Sequence, residues 1–385
     1  MSENFRKLRI VHLTSVHRSD DIRIFQKQAK SLASYGHDVH LIATRLIPGI
    51  SALDGVTIHF IKKRKSKKAR ITMTCPTIFL LALRMNADIY HAHDPELIPW
   101  CFLLKLLRRK VVIDLHENYQ DQVIGMHWIP LFLRPTFSVM VAAIVRIAVW
   151  MFDGTVVADD QLEAKYARIA KNNRLSLIRN YPIIGPPLVH TVPILERYQR
   201  AIILFLGGVS PGRVVEEFIS ALDLIMDIPF QVILCGDSND AALLERLKKY
   251  PSWSRVFFKG RVPIVEVEAL MLSASISINL YANVPNNYQI RSNRLFEAMA
   301  GGLPVVCSSF PAWCNFIEKT DCGYISDPHD PDSIARTLRE ALKSPCEMLR
   351  RANKGRNAAI DNYSWESEFP KLIGLYDRII DEAKI

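Results

Sequence analysis

The chain has 385 residues, 49% of them apolar and 23% charged, with a formal net charge of +10. That composition excludes a disordered or low-complexity chain, and the length suits two to three domains at roughly 150 residues each. The basic balance favours anionic partners, and the seven scattered cysteines (Cys75, Cys101, Cys235, Cys307, Cys314, Cys322, Cys346) include no CxxC pair, which argues against a zinc framework and for buried thiols in a reducing cytoplasm.

Met1 to Lys7 is polar and Leu8 opens a strand-like run, so no secretory signal peptide is expected. Short β-branched runs then alternate with longer helical patterns. Strands are expected at Leu8–Val16, Asp38–Thr44, Val56–Ile61, Asp88–His93, Val111–His116, Gly154–Ala158 and Leu175–Arg179. Phe25, Ala29 and Leu32 have helical spacing, and the preceding pair Asp20-Asp21 suits a helix start. This is the rhythm of a parallel, doubly wound sheet.

Two segments stand apart from it. Lys62–Arg70 carries seven basic residues in nine positions, and reads either as a solvated loop or as a contact for anionic lipid or a phosphorylated acceptor. Ile129–Phe152 is the most apolar run, but Arg134 and Arg146 interrupt it and Pro130 and Pro135 break its start. It is expected as a core-facing helix, with an interfacial one as the alternative, rather than a span. Together the two segments suit shallow membrane association. No nucleic-acid motif accompanies the basic run, so nucleic acid is not an expected partner.

Tyr181 to Arg200 holds four prolines and no clear period, a boundary signal. Strands resume at Ala201–Leu206, Phe230–Cys235, Val256–Gly260, Ile276–Leu280, Pro304–Ser308 and Gly323–Ser326, and helices alone follow from about Asp330. The expected division is a first α/β domain over 1–185, a linker over 186–200, a second α/β domain over 201–365, and a final helix over 366–385 returning toward the first domain. Ligands of such sheets bind at the carboxyl ends of the strands, so two facing lobes imply a central cleft.

The strand Ala201–Leu206 runs into Gly207-Gly208-Val209-Ser210-Pro211-Gly212-Arg213 and then an apolar helix. Glycines let backbone approach a ligand, a helix N-terminus attracts anions, and Arg213 would be a forked phosphate donor. A tight loop is the plainer alternative. The absence of GxGxxG and GxxxxGK[ST] argues against dinucleotide redox and P-loop chemistry. Further on, polar residues from Tyr288 precede the helical run Arg294-Leu-Phe-Glu297-Ala-Met-Ala, which Gly301-Gly302 ends. A carboxylate beside Phe296 and Met299 needs a partner if buried. A ribose diol offers two donors, and Arg294 at i−3 is the alternative partner.

These segments resemble the retaining GT-B glycosyltransferases of family 4, the glycosyl transferases of group 1. So do Asp21-Ile-Arg23-Ile-Phe25, His91-Ala-His93-Asp94-Pro95-Glu96 and Asp114-Leu-His116-Glu117, in order over essentially the whole chain. The resemblance implies the GT-B fold, with two Rossmann-like domains. It implies a ribose-binding Glu297, a diphosphate-binding Arg213 on the loop of Gly207 and Gly208, and an active-site His116. It also places Gly260 and Arg261 against the base, with Gln289 and Arg294 on the donor-binding segment. Three departures accompany it. Gln289 stands where the family often has glutamate, and Gly208 stands where it often has a basic residue. Val16-His-Arg-Ser-Asp-Asp21 replaces a Gly-rich turn, so that His17, Arg18 and Asp20 would shape a different acceptor or phosphate pocket.

The implied activity is retaining transfer of a hexosyl or N-acetylhexosaminyl group from a nucleotide sugar, UDP-linked in the first place. The acceptor would be a lipid-linked or polysaccharide glycan, as in O-antigen or capsule synthesis, at the inner face of the cytoplasmic membrane. The leaving diphosphate would be met by cations and backbone N–H groups. The DxD spacing Asp330-Pro-Asp332 reads as a helix cap, so no metal or other cofactor is expected. A nucleotide-sugar epimerase, or a non-catalytic member of the same fold, is the alternative.

Overall fold

A computed structural model describes residues 6–45, 48–64, 66–120, 130–171, 173–185, 194–238, 240–284, 287–288 and 292–381. The chain divides into two units, Met1–Asn180 with Glu368–Ile385, and Tyr181–Ser367.

The first unit carries eight strands: β1 (Arg9–Leu13), β2 (Asp38–Arg45), β3 (Gly49–Leu53), β4 (Val56–Lys62), β5 (Ile89–Ala92), β6 (Val111–Leu115), β7 (Gly154–Val157) and β8 (Leu175–Leu177). They form one sheet in the order β3-β4-β2-β1-β5-β6-β7-β8. All neighbours are parallel except β3, which runs antiparallel to β4. The central strands β5, β6 and β7 are buried throughout, as expected for a parallel sheet covered on both faces. The exposed edge strand β3 is absent from the sequence-based expectation. It forms because Asp54-Gly55, both at positive φ, closes a tight hairpin onto β4.

Asp21 caps the first helical segment, accepting from the N–H groups of Arg23 and Ile24. That segment opens as a π-helix, Ile22–Ala29, and continues as an α-helix to Tyr35. The wider π winding buries Arg23, Lys27 and Gln28 against the sheet. The final helix, Trp365–Asp381, supplies Tyr376 and Ile379 to this unit's interior. A Cβ on Gly154 of β7 would lie 2.8 Å from Ile379, so the helix packs where the sheet has no side chain.

The apolar run from Ile129 corrects the core-facing expectation. Ile129 lies outside the described residues. A 3₁₀ turn at Leu131–Leu133 leads into the helix Arg134–Met151, where Ser138, Val145, Ala148 and Val149 are the buried residues. Phe132, Phe137, Val139, Met140, Ile147 and Trp150 are exposed. The helix is apolar over most of its surface, yet only one narrow stripe of it is buried. By length and composition alone, Leu131–Met151 is long and apolar enough to cross a membrane.

The second unit has six parallel strands: β9 (Ile202–Leu206), β10 (Gln231–Cys235), β11 (Val256–Gly260), β12 (Ile276–Asn279), β13 (Val305–Ser308) and β14 (Gly323–Ser326). Their order is β11-β10-β9-β12-β13-β14. The chain switches direction of winding between β9 and β12, where ligands of such sheets bind. The expected linker over 186–200 is structured at its end: Ile194–Gln199 is a helix. Its buried Arg197 donates to the carbonyls of Ala274 (2.8 Å), Gly301 (3.1 Å) and Met271, and the Tyr198 hydroxyl donates to that of Gly302 at 2.7 Å. Asp330 caps the helix Pro331–Leu342 by accepting from the N–H of Asp332, so the DxD pair has the capping role its position suggests. All seven cysteines are free thiols, five of them buried.

Candidate functional site

The functional side chains of the first unit gather at the carboxyl ends of β1, β5 and β6. Strand β6 delivers Asp114 and then His116, β5 runs into His93 and Asp94, and β1 runs into Thr14 and Ser15. Asp114 is fully buried. Arg23 grips it with a fork, Nε to Oδ2 and Nη2 to Oδ1, each at 2.9 Å, and Gln28 donates to Oδ2 at 2.7 Å. Burial pushes this carboxyl up, but Arg23 and His116 outweigh it and hold the pKa well below the usual carboxylate range. The motif around Arg23 therefore has a structural role: the guanidinium neutralises the carboxylate on which the two histidines rest. His93 Nδ1 and His116 Nε2 lie 3.6 and 3.4 Å from Asp114 Oδ2.

Four imidazoles cluster here, with His93 stacked on His12 and His91 and edge-on to His116. His12 and His91 face each other in register across β1 and β5. His12 Nδ1 is 2.9 Å from His93 Nε2, His93 Nδ1 is 3.4 Å from His116 Nε2, and His91 Nδ1 is 2.7 Å from the Tyr376 hydroxyl. Ligating atoms of His12, His91 and His93, and of His93, Asp114 and His116, lie within 4.8 Å of one another. The second trio does not suit a divalent cation, because the charge of Asp114 is already met by Arg23 and a cation would face the guanidinium.

His12, His91 and His93 are fully buried, and burial lowers all three pKa values, that of His93 to about 3. In the unfolded chain they titrate near 6.5. The folded state thus binds fewer protons as pH falls below about 6.5, and stability declines there by up to about 1.4 kcal/mol per pH unit for each histidine. The urea midpoint is expected to fall steadily from pH 6.5 to 5. A midpoint unchanged or rising over that interval would contradict neutral burial.

The loop after β1 is tied down by acids. Asp94 Oδ2 accepts from Thr14 Oγ1 at 2.8 Å and from the Ser15 N–H at 2.6 Å. Glu96 takes Ser15 Oγ at 2.5 Å and a two-pronged ion pair from Arg70, at 2.5 and 3.0 Å. Arg70, counted above in the basic run, is therefore committed inward. Lys62, Lys63, Lys67 and Lys68 are exposed, and Lys65 lies outside the described residues. Arg18 and Asp20, expected to shape a pocket, pair with each other at the surface at 2.8 Å. His17 turns inward instead.

In the second unit the sites gather at the ends of β9, β10 and β12. Gly207 has φ 145° and Gly236 φ 155°. A Cβ on Gly236 would fall 1.8 Å from the carbonyl oxygen of Gly207, so the two strand ends meet backbone to backbone. Gly236 follows a strand just as Gly207 does, but no motif marks it. Gly208 is under no such constraint: a Cβ there would have ordinary contact, 3.6 Å, with the Asp237 carbonyl. The next helix, Val215–Asp223, is entered through Val214 at φ 44°, a strained conformation for a β-branched residue.

Arg213 folds back over Gly207, whose missing side chain leaves room for it: a Cβ there would lie 3.0 Å from the Arg213 Cζ. Its guanidinium lies 4.0 Å over the Tyr281 ring, donates to the Tyr281 hydroxyl and reaches the Leu206 carbonyl at 3.2 Å. The Tyr281 hydroxyl is 2.7 Å from Ser292 Oγ, at the entrance to the helix Asn293–Ala300. Tyr281 and Ser292 join this site through contacts that no motif announces. Glu297 on that helix pairs with Arg294 at 2.6 Å through Oε2, the alternative partner raised above. The Oε1 atom lies outside that bond. Gly260 ends β11 at φ 63°, with no atom within 4 Å of the position a Cβ would take. Arg261 is exposed, 3.8 Å from Asp237. Gln289 lies outside the described residues. Thus Gly207 and Arg213 come together, as do Arg294 and Glu297, while His116 belongs to the other unit.

Two Rossmann-like sheets, with a histidine–carboxylate cluster at the strand ends of the first and a glycine–arginine loop at those of the second, define a two-domain α/β class. Residues 193–359 match the model of glycosyl transferases group 1, and residues 23–181 match that of glycosyltransferase family 4. The chain belongs to the GT-B glycosyltransferases of group 1.

It is similar to the MMP alpha-(1->4)-mannosyltransferase of Mycolicibacterium hassiacum, with 31% identity over 30% of this chain and 27% of the relative. It is also similar to the O-antigen chain mannosyltransferase B of Escherichia coli, with 24% identity over 48% of this chain and 49% of the relative. The chain thus spans from about a quarter to half the length of these curated relatives. HepE of Anabaena, solved in complex with UDP and glucose, shares the fold at 13% identity and a TM-score of 0.68, over 96% of this chain and 99% of that one.

Proposed function

We propose that the protein is a retaining glycosyltransferase that moves a sugar from a nucleotide-sugar donor, UDP-linked in the first place, to a lipid-linked or polysaccharide acceptor in cell-surface glycan synthesis. The carrying observation is Arg213 held flat between Gly207 and Tyr281, at the point where the second sheet changes its direction of winding. A guanidinium preorganised there meets the charge that develops on a departing diphosphate, without metal. Glu297 Oε1 suits a ribose hydroxyl, and His116, poised on Asp114, suits a sugar or acceptor hydroxyl. The complex of HepE with UDP and glucose supports the choice of donor class. The O-antigen chain mannosyltransferase B of Escherichia coli supports a glycan acceptor.

Membrane contact at the inner face of the cytoplasmic membrane belongs to the same reading. It is supported by the exposed apolar faces of the helix Arg134–Met151 and of Leu103, Leu106 and Leu107, together with the basic residues at 62–68. Such a surface buries apolar side chains at the headgroup boundary while its cations meet anionic lipid.

A panel of UDP- and GDP-sugars, incubated with anionic vesicles carrying a membrane lipid extract, tests the proposal. Nucleotide release from one donor is expected, and the protein should sediment with phosphatidylglycerol vesicles more than with phosphatidylcholine ones. No release from any donor would defeat the transfer reading. Equal sedimentation with both lipids would defeat the membrane part of it.

A further inference from the structure

The inward turn of His17 sets up an arrangement that no motif of the family reading requires. Its Nδ1 lies 3.3 Å from Asp21 Oδ2 and its Nε2 lies 3.4 Å from Asp94 Oδ1. Both ring nitrogens thus face carboxylates, one at the start of the π-helix and one at the end of β5. Only the doubly protonated imidazolium can donate to both at once. The ring also packs against His116, with centroids 5.3 Å apart. Asp94 is itself buried and holds the N–H groups and hydroxyls of the β1 loop. The cation therefore closes a circuit of β1 loop, Asp94, His17, Asp21 and π-helix, with His116 against its face.

We infer that His17, in its imidazolium form, is a latch joining Asp94 to Asp21 and a positioning residue for His116, so that the reacting geometry is kept only while His17 is protonated. This deepens the proposed transferase reading and rests on it for the role of His116. The hydrogen bond to Asp21, together with the charges of Asp21, Asp94 and Asp114, outweighs burial and raises the His17 pKa above its ordinary value. Those carboxylates and the His116 ring are the titratable groups that face it from the π-helix, β5 and β6. The sign follows: the latch is whole below the usual histidine pKa and opens as pH rises through the raised value. Transfer should therefore show an alkaline limb set by His17.

Asp21→Asn separates the latch from simple misfolding. Asp21 Oδ1 caps the π-helix, at 2.9 Å from the N–H groups of Arg23 and Ile24, and an asparagine oxygen can keep that cap while the charge facing His17 is lost. The full chain, labelled at histidine Cε1 and titrated by NMR with the His17 signal assigned through His17→Gln, should show a midpoint above 6.5 that falls in Asp21→Asn. In kcat/KM against pH, the alkaline limb should move down by the same interval, with each pH unit costing tenfold activity above the limb. In His17→Gln the limb should vanish and leave a uniformly lower rate.

A His17 midpoint at or below 6.5, or one unmoved in Asp21→Asn, would overturn the latch. A moved midpoint with an unmoved limb would overturn its positioning role. If no donor is turned over, the transferase reading fails while the titration still decides the latch.

Discussion

Replacing Arg23 with methionine is expected to lower the unfolding free energy by about 3–5 kcal/mol, because it strands the buried Asp114 carboxylate without its cation. Methionine fills comparable space with a flexible thioether, so the effect is not one of packing alone. What is lost is the fork onto both Asp114 oxygens and the bond from Nη1 to the Ile178 carbonyl at 3.0 Å. The control is Asp114→Asn in the same background. With no stranded charge, and with Gln28 still able to donate to the remaining oxygen, the double variant should recover part of the loss. Urea unfolding of the two single variants and the double variant gives the coupling directly. An Arg23→Met variant within 1 kcal/mol of the parent would show that the pair does not hold this site together. His116 should feel the same change, since it rests on the carboxylate that Arg23 orients.

That pair marks the limit of what the amino-acid order discloses. Strand positions are legible because β-branched runs alternate with helical spacing, and the fully buried strands leave continuous apolar stretches. Even β3 had a signal, the Asp54-Gly55 turn, but its exposed residues carry no core pattern. The site is legible only where one short segment holds all its parts, as Gly207 to Arg213 does.

Contacts that join distant segments are different. Arg23 lies 91 residues from Asp114, and Arg213 lies 68 from Tyr281, so nothing local records either pairing. The core-facing expectation for the apolar run failed for a related reason. Apolar residues over most of a helix show that it can be buried, but only the neighbouring elements decide how much of it is. His17 shows the same limit at small scale: its inward turn depends on Asp94, 77 positions away, and not on the adjacent Arg18 and Asp20, which satisfy each other.

The largest effect on activity is expected at Arg213. Arg213→Ala should lower kcat for transfer by about 10²–10³-fold, with a smaller change in the donor KM. The reasoning turns on when the charge appears. In the proposed nucleotide-sugar donor the diphosphate charge is shared with the sugar linkage, and it concentrates on the leaving oxygen only as that bond breaks. A guanidinium already fixed by Tyr281 and the Leu206 carbonyl needs no reorganisation to meet it, so its contribution falls on the transition state more than on binding. Arg213→Lys keeps the charge but cannot reproduce the planar fork or the stacking on Tyr281, and should recover only a minor part of the rate. Glu297→Gln should behave in the opposite way, raising the donor KM while leaving kcat nearly unchanged, because the proposed ribose contact would be the same before and during transfer. Thermal unfolding of each variant checks that the second unit is intact. Equal losses in kcat and KM at Arg213, or none in either, would remove it from the reacting centre and leave the glycine–arginine loop as a structural turn.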